Sequence, residues 1–375
     1  MSQANCSSQL LDKHCGPYAH SGSSVRKHMW QVCLALTPCT LFSLYLFGWP
    51  AIFLFFCTCL SALLFEALCL YMRKDPLVRV MDGSALLCAW ILALTLPPWA
   101  PWWLGVGGAF FAIVVGKQLY GGLGQNIFNP AMLARTALLI TFPMQMTTWV
   151  EPTPIVLSSS PDFFSALLIS FSSATNIDAY SGATALGSLK TALSMGQNVE
   201  QGLAELYQPL YAFIGWSSGS MGESSELLIL LGAVYLLWQR IISWEIPVAM
   251  LLGLFVFTQL SHILDGEHYA AASFHLFSGG VVLAAFFIAT DPVSSPSSSL
   301  GRIVFGLGCA LLIFIIRNWG SFPEAVAFAV LIMNAFNPLI ERYLRPRIYG
   351  RLANKEALPN LASFELAQKL KRPKS

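Results

Sequence analysis

Three groups of residues in this 375-residue sequence carry side chains able to do chemistry. The first is Asp178-Ala179-Tyr180-Ser181-Gly182-Ala183-Thr184-Ala185-Leu186. Its acid, glycine and aliphatic hydroxyls fit a polar turn or a helix cap. A threonine nucleophile acting for itself needs a base beside it, and none stands near Thr184. The second is Lys117-Gln118-Leu119-Tyr120-Gly121-Gly122-Leu123-Gly124-Gln125-Asn126, followed by Phe128-Asn129-Pro130-Ala131. Gly121, Gly122 and Gly124 allow a backbone to approach a ligand and present its N–H groups. Lys117, Asn126 and Asn129 can bind a phosphate or the edge of a ring, although tight helix packing uses the same glycines. The third group is ionisable residues within or beside apolar runs: Glu66, Asp82, Arg135, Asp291 and Glu324. Charge at membrane depth points to function by default. Arg135 needs an anion, an aqueous vestibule or a snorkelling route to the nearby surface. Glu66 suits an ion ligand or a pair with a basic residue of a neighbouring protein. Ser278-Gly279-Gly280, close to Thr290-Asp291-Pro292, suggests a helix broken around a bound group, with His275 as a polar contact or a structural hydrogen-bonder.

The elements that position these groups follow from composition. Hydrophobic residues make up 55% of the chain, charged residues 11%, and mean hydropathy is +0.62. Soluble domains carry about 25% charge, so a soluble fold and disorder are both excluded. A net charge of +2 without a basic stripe outside the C-terminal tail excludes nucleic acid as a partner. The expected class is an all-α polytopic membrane protein with lipid as its solvent. The nine cysteines form no C-x-x-C pair, so they are expected to be small buried hydrophobes rather than iron–sulfur ligands. No strand-following Gly-x-Gly-x-x-Gly with a downstream acid appears, so the chain is not expected to bind NAD.

A crossing helix needs about 20 apolar residues. Ten spans are predicted, at 30–48, 51–71, 83–98, 101–116, 131–146, 225–239, 245–262, 273–290, 303–316 and 322–340, with 206–218 as a re-entrant or interfacial piece. Placing the N-terminus in the cytoplasm puts 18 of the 21 lysines and arginines inside, a strong positive-inside bias. The chain then divides into a cytoplasmic tail (1–29), a first five-helix unit (30–146), an extracytoplasmic loop (147–224), a second five-helix unit (225–340) and a basic cytoplasmic tail (341–375). The basic tail suits anionic lipid. Trp99, Trp102 and Trp103 suit an interfacial belt. A loop this long is expected to be functional. The expected compartment is a bacterial inner membrane, with the first helix uncleaved.

Gly105-Val106-Gly107-Gly108-Ala109, followed by Lys117-Gln118 and Tyr120-Gly121, aligns with Gly306-Leu307-Gly308-Cys309-Ala310, followed by Arg317-Asn318 and Trp319-Gly320. The two stretches lie five spans apart. Five is odd, so successive units face opposite ways, as in transporters built from inverted repeats.

The stretch Asp178 to Thr184 resembles the flavinylation motif shared by the membrane flavoproteins NqrB and RnfD of the Nqr and Rnf (Rsx) respiratory complexes. The wider chain is similar to the same family at Asp82-Gly83-Ser84-Ala85, the glycine-rich segment, Leu96-Pro97-Pro98 to Trp103, and Gly219-Ser220-Met221-Gly222-Glu223-Ser224. Further matches are Phe274 to Gly280, Phe287 to Val293 and Pro323 to Ala329. The likeness covers roughly 16–350 and is nearest the RnfD branch. Ala185 stands where proline is usual. The resemblance implies FMN joined through its phosphate to Thr184 by a separate flavin transferase, with Asp178, Ser181, Gly182 and Ala183 shaping the acceptor turn. It also implies other subunits of the Rnf (Rsx) complex as partners, and electron flow between ferredoxin and NAD, or toward a redox regulator, coupled to ion movement. A second, non-covalent flavin would draw on Lys117, Gly122, Gly124, Asn126, Asn129, Arg135, Ser278 and Asp291. Three alternatives remain: the NqrB component of the sodium-pumping quinone reductase, a flavin-free channel or carrier, and a structural assembly protein.

Overall fold

The computed structural model describes residues 24–157, 160–172, 181–182, 184–199, 202, 213–320, 322 and 324–345. Most of the predicted re-entrant segment 206–218 therefore lies outside the described residues, as do Asp178, Ala183 and most of both tails. The fold is helical, with one two-residue antiparallel ladder.

The first helix, α1, runs Val25–Met72, with the Ser24 side chain capping it by accepting from the Lys27 N–H at 3.2 Å. An unbroken helix of 48 residues would be about 72 Å long, more than twice a bilayer core. It is broken at Gly48, whose φ of +74° costs a Cβ-bearing residue dearly. The two arms fold back beside α2 (Ser84–Thr95). Trp90 of α2 touches both arms: its Nε1 donates to Thr40 Oγ1 at 2.7 Å, and its ring meets Phe55 edge-on at 5.2 Å.

The third helix, α3 (Trp102–Phe110), continues as a π-helix over Phe111–Gln118. A glycine-rich loop leads to α4 (Pro130–Thr141) and the short α5 (Pro143–Thr147). Then come β1 (Trp149–Val150), α6 (Phe163–Phe171), β2 (Ser181–Gly182) and α7 (Ala185–Ser194). The second half holds α8 (Glu226–Trp238), α9 (Glu245–Leu264), α10 (Ala272–Leu276), α11 (Val281–Leu283) with its π-helical extension Ala284–Ile288, α12 (Ser299–Trp319) and α13 (Val326–Tyr343).

Three of these helices, α1, α9 and α12, are long and apolar enough to cross a membrane, and α2, α4 and α8 are shorter apolar helices. This is the architecture of a polytopic membrane protein. One continuous core joins both halves, from Leu36, Phe47 and Leu92 to Phe305 and Ile313.

Helix ends gather at two ends of the bundle. One holds the start of α1, the glycine-rich loop and Arg302. There Arg73 donates to Gln118 Oε1 at 2.9 Å and Arg302 faces Glu245 at 3.7 Å. The other holds the Gly48 apex, the β1–β2 ladder, α6 and α7. Ile155 N–H donates to Tyr45 O at 3.0 Å there, and Phe163 of α6 packs on Trp49 and Phe53, each at 5.3 Å.

Candidate functional site

Thr184 is the N-cap of α7. Its Oγ1 accepts from the Gly187 N–H at 3.1 Å, and the residue is 7% exposed. Of the two outcomes the residue types allowed, the cap is the one formed. The turn before it is held by the ladder, with Trp149 opposite Gly182 and Val150 opposite Ser181. On its other side α7 packs Leu186 and Leu189 with Val199, Ala270 and Phe274 in a small core of its own. Lys190 donates from Nζ to the Gly320 carbonyl, and burial lowers its pKa.

This geometry fits a phosphoester on Thr184. A helix N-terminus presents unpaired N–H groups and partial positive charge, which favour an anion. A phosphate ester on Oγ1 would stand at the N-terminus of α7, a helix of ten residues.

The second group of sequence candidates divides. Lys117, Asn126, Asn129 and Asp291 line one cavity of about 320 Å³ at the glycine-loop end, together with apolar residues such as Cys88, Ile91 and Phe286. That volume is at the lower bound for ligand pockets, about 300 Å³. Gly122 and Gly124 adopt left-handed φ but lie in the loop outside the lining. Asn126 donates to Phe128 O at 3.0 Å. Asn129 caps α4, accepting from Ala131 N–H at 3.1 Å, and donates to Ile288 O at 3.2 Å. Both asparagines therefore already hold backbone.

Lys117 corrects the expectation for Glu66. The two pair within this chain at 2.7 Å, each residue 3% exposed, and Lys117 also donates to Ser84 Oγ at 2.7 Å. Glu66 is thus committed to its own chain rather than to a neighbouring protein. Asp82 Oδ1 accepts from the Ser84 hydroxyl at 2.6 Å and from its N–H at 2.7 Å, which steadies that hydroxyl.

Arg135 and Ser278 do not reach the larger cavity. Arg135 Nη2 is in contact with Glu324 Oε2, so a carboxylate faces it and it does not snorkel, while its Nη1 is left without a partner among the described residues. The chain is broken between α10 and α11, as expected, but the break holds Arg317. The Arg317 guanidinium donates to His275 O at 2.6 Å and Ser278 O at 2.7 Å. Gly279, at φ +74°, is required there, because a Cβ would lie 2.8 Å from Arg317 Nη2 and 3.0 Å from Leu186 Cδ1. Of the seven described cysteines, Cys33, Cys39, Cys59, Cys88 and Cys309 are buried as expected and Cys57 and Cys69 are half-buried; Cys6 and Cys15 lie outside the described residues.

Two acids not singled out by the sequence pattern are Glu223, which is half-buried, and Glu226, which is buried. Glu223 lies in the turn Met221–Glu223, where its carboxylate accepts from Ser220 Oγ at 2.7 Å. Glu226 opens α8 and is buried. An acid at the head of an otherwise apolar run was the available signal.

A family model described as the NQR2, RnfD, RnfE family matches residues 13–350. A protein of Stutzerimonas stutzeri, named as the D component (RnfD) of an ion-translocating oxidoreductase complex, is 57% identical over 336 residues, 90% of this chain and 95% of its own. Its namesake in Halorhodospira halophila is 49% identical over 337 residues, 90% of this chain and 94% of its own. Another in Escherichia coli strain K12 is 42% identical over 347 residues, covering 89% of this chain and 97% of its own. By the extent of these matches, the chain belongs to the NQR2, RnfD, RnfE family.

Proposed function

We propose that this protein is a membrane flavoprotein subunit of an ion-translocating oxidoreductase complex. In this reading it carries FMN covalently through a phosphoester on Thr184. The observation that carries the reading is the position of Thr184 as N-cap of the ten-residue α7, where a phosphate meets backbone N–H groups. Bound flavin supplies one- and two-electron redox chemistry. The chain's own residues position it: the β1–β2 ladder fixes the turn, and the small core under α7 anchors the helix. The names of the relatives favour this reading over the NqrB component of the sodium-pumping quinone reductase.

In the same proposal the chain crosses a bacterial inner membrane ten times as two inverted five-helix units, 30–146 and 225–340. Both tails face the cytoplasm, and the loop 147–224 faces the periplasm. Two observations support it: the antiparallel arms of α1, and the matched places of Lys117 and Arg317 at the ends of α3 and α12. Its partners are the other complex subunits, a flavin transferase and membrane lipid. The cavity of about 320 Å³ is the place for a second, non-covalent flavin, with Lys117, Asn126 and Asp291 as its polar lining.

The test is a denaturing gel viewed under ultraviolet light, with the chain made with and without a flavin transferase. Fluorescence that survives denaturation, requires the transferase and vanishes in Thr184→Ala is the expected result. A dark band, with the transferase active on another acceptor, overturns the assignment and favours a carrier or assembly role.

A further inference from the structure

The bundle holds a second set of ionisable groups, three buried and two half-buried, that the flavin reading leaves without a task. Arg135 of α4, Glu223, Arg317 of α12 and Glu324 line a cavity of about 20 Å³ with Thr95 and Ser220. That volume is room for about one water. Glu226 follows Glu223 by three residues, opens α8 and is 3% exposed. These groups come from α4, the Met221–Glu223 turn, α8, α12 and the approach to α13. Helix α2 adds only Thr95. Among the described residues His275 is a further titratable neighbour, and its carbonyl accepts from Arg317.

Their mutual contacts leave a remainder. Arg135 meets Glu324, Arg317 holds two main-chain carbonyls, and Glu223 holds Ser220. Arg135 Nη1, Arg317 Nε, Glu324 Oε1, Glu226 Oε2 and Ser278 Oγ are buried without a hydrogen-bond partner among the described residues. Arg135 and Arg317 are each only 6% exposed and form part of the cavity wall. A buried unsatisfied group is costly, and more so when charged.

Charge makes the same point. Three carboxylates face two guanidiniums, and arginine keeps its proton. One negative charge is left over among one buried and two half-buried carboxylates, in a setting where a bare buried ion is costly. A single positive equivalent closes the account. A metal ion fits poorly: among the described residues no group of three or more His, Cys, Asp and Glu is placed to hold one, and two guanidiniums already occupy the wall. A proton needs one oxygen, and the cavity has space for the water that would carry it.

We propose that this cluster is a proton-binding site, in which one exchangeable proton is shared by Glu223 and Glu226 and exchanges through the water-sized cavity with Glu324. The carboxyl that holds the proton is neutral, and its release restores the carboxylate. The site rests on the bundle geometry and does not depend on flavin at Thr184.

Infrared spectra of the purified complete complex, taken in H2O and D2O at pH 7, test it. The expected result is a protonated-carboxyl C=O band that shifts down in D2O. It is lost in Glu226→Gln or Glu223→Gln and kept in Asp291→Asn, a carboxylate of the larger cavity. Two substitutions are used so that failure of one to assemble leaves the other, with co-purification of the other complex subunits as the check on folding. Absence of any such band in the wild-type complex overturns the proposal without a variant. So does a band that both glutamine variants retain. A band abolished by sodium ions but not by choline at equal ionic strength places a metal cation in the cluster, and overturns it as well. No outcome depends on fluorescence, so a failed flavin assignment and a failed proton site are distinguishable.

Discussion

Lys117 is the residue whose role changes most between sequence and structure. It stands in a glycine-rich segment that suggests a ligand, yet its ammonium is held by Glu66 and Ser84. Removing one partner of a buried pair costs ~3–5 kcal/mol, because the other charge is left bare, whereas replacing both is far milder. Lys117→Met is therefore expected to lower the thermal midpoint of the detergent-purified protein sharply. Lys117→Met with Glu66→Leu is expected to recover most of that loss, and size-exclusion yield after a heating series measures both. A double variant no better than the single one would show that the pair is not the main contribution. The pairing was not legible in sequence, because Glu66 and Lys117 lie on different helices and no local rule connects them. Arg135 and Glu324 are farther apart still. The motif around Thr184 was legible because its acid, glycine and hydroxyls stand within seven residues of sequence; whether it became a cap depended on α7 packing on Phe274 and Val199.

At the scale of elements, hydropathy carried most of the prediction. The predicted 83–98, 225–239 and 303–316 correspond to α2, α8 and α12, with ends shifted by a few residues. The expected boundary near Gly48-Trp49-Pro50 is a real break, though the helix resumes at once. The π-helical turn of Phe111–Gln118 left no mark in the pattern, since an extra residue per turn is set by packing rather than by propensity. Span 273–290 broke where its glycines indicated, but the cause, Arg317, lies on another helix. Helix α3 offers a control within itself. A Cβ at Gly105 collides with Thr58 Oγ1 and lies 3.1 Å from Leu54 Cδ1, whereas at Gly107 nothing stands within 4 Å. Gly105→Leu is expected to push α3 off α1 and cost most of the folded yield, and Gly107→Leu to be nearly silent, with fluorescence-detected gel filtration as the measurement. Equal loss in both would mean that the helix contact is not set by Gly105.

At the scale of the molecule, ten of the thirteen described lysines and arginines lie at the end that holds the glycine-rich loop, and the ladder and α7 lie at the other. The positive-inside tendency then sets the orientation proposed above. A green fluorescent protein joined after Arg345 is expected to fluoresce, and an alkaline phosphatase inserted after Ser194 to be active. The reverse pattern would invert the topology.

The contact between Arg135 and Glu324 also has a consequence for biogenesis. Arg135 leaves the ribosome long before Glu324 is translated, so the first half of the chain enters the lipid with a guanidinium that its own sequence does not neutralise. Its final packing waits for the last helix. A nascent chain stopped before Glu324 is expected to be cleared by membrane proteases in a pulse-chase, and supplying 225–375 as a separate polypeptide is expected to protect it. On that expectation the quality-control checkpoint falls at the end of synthesis, when a late carboxylate reaches an early arginine.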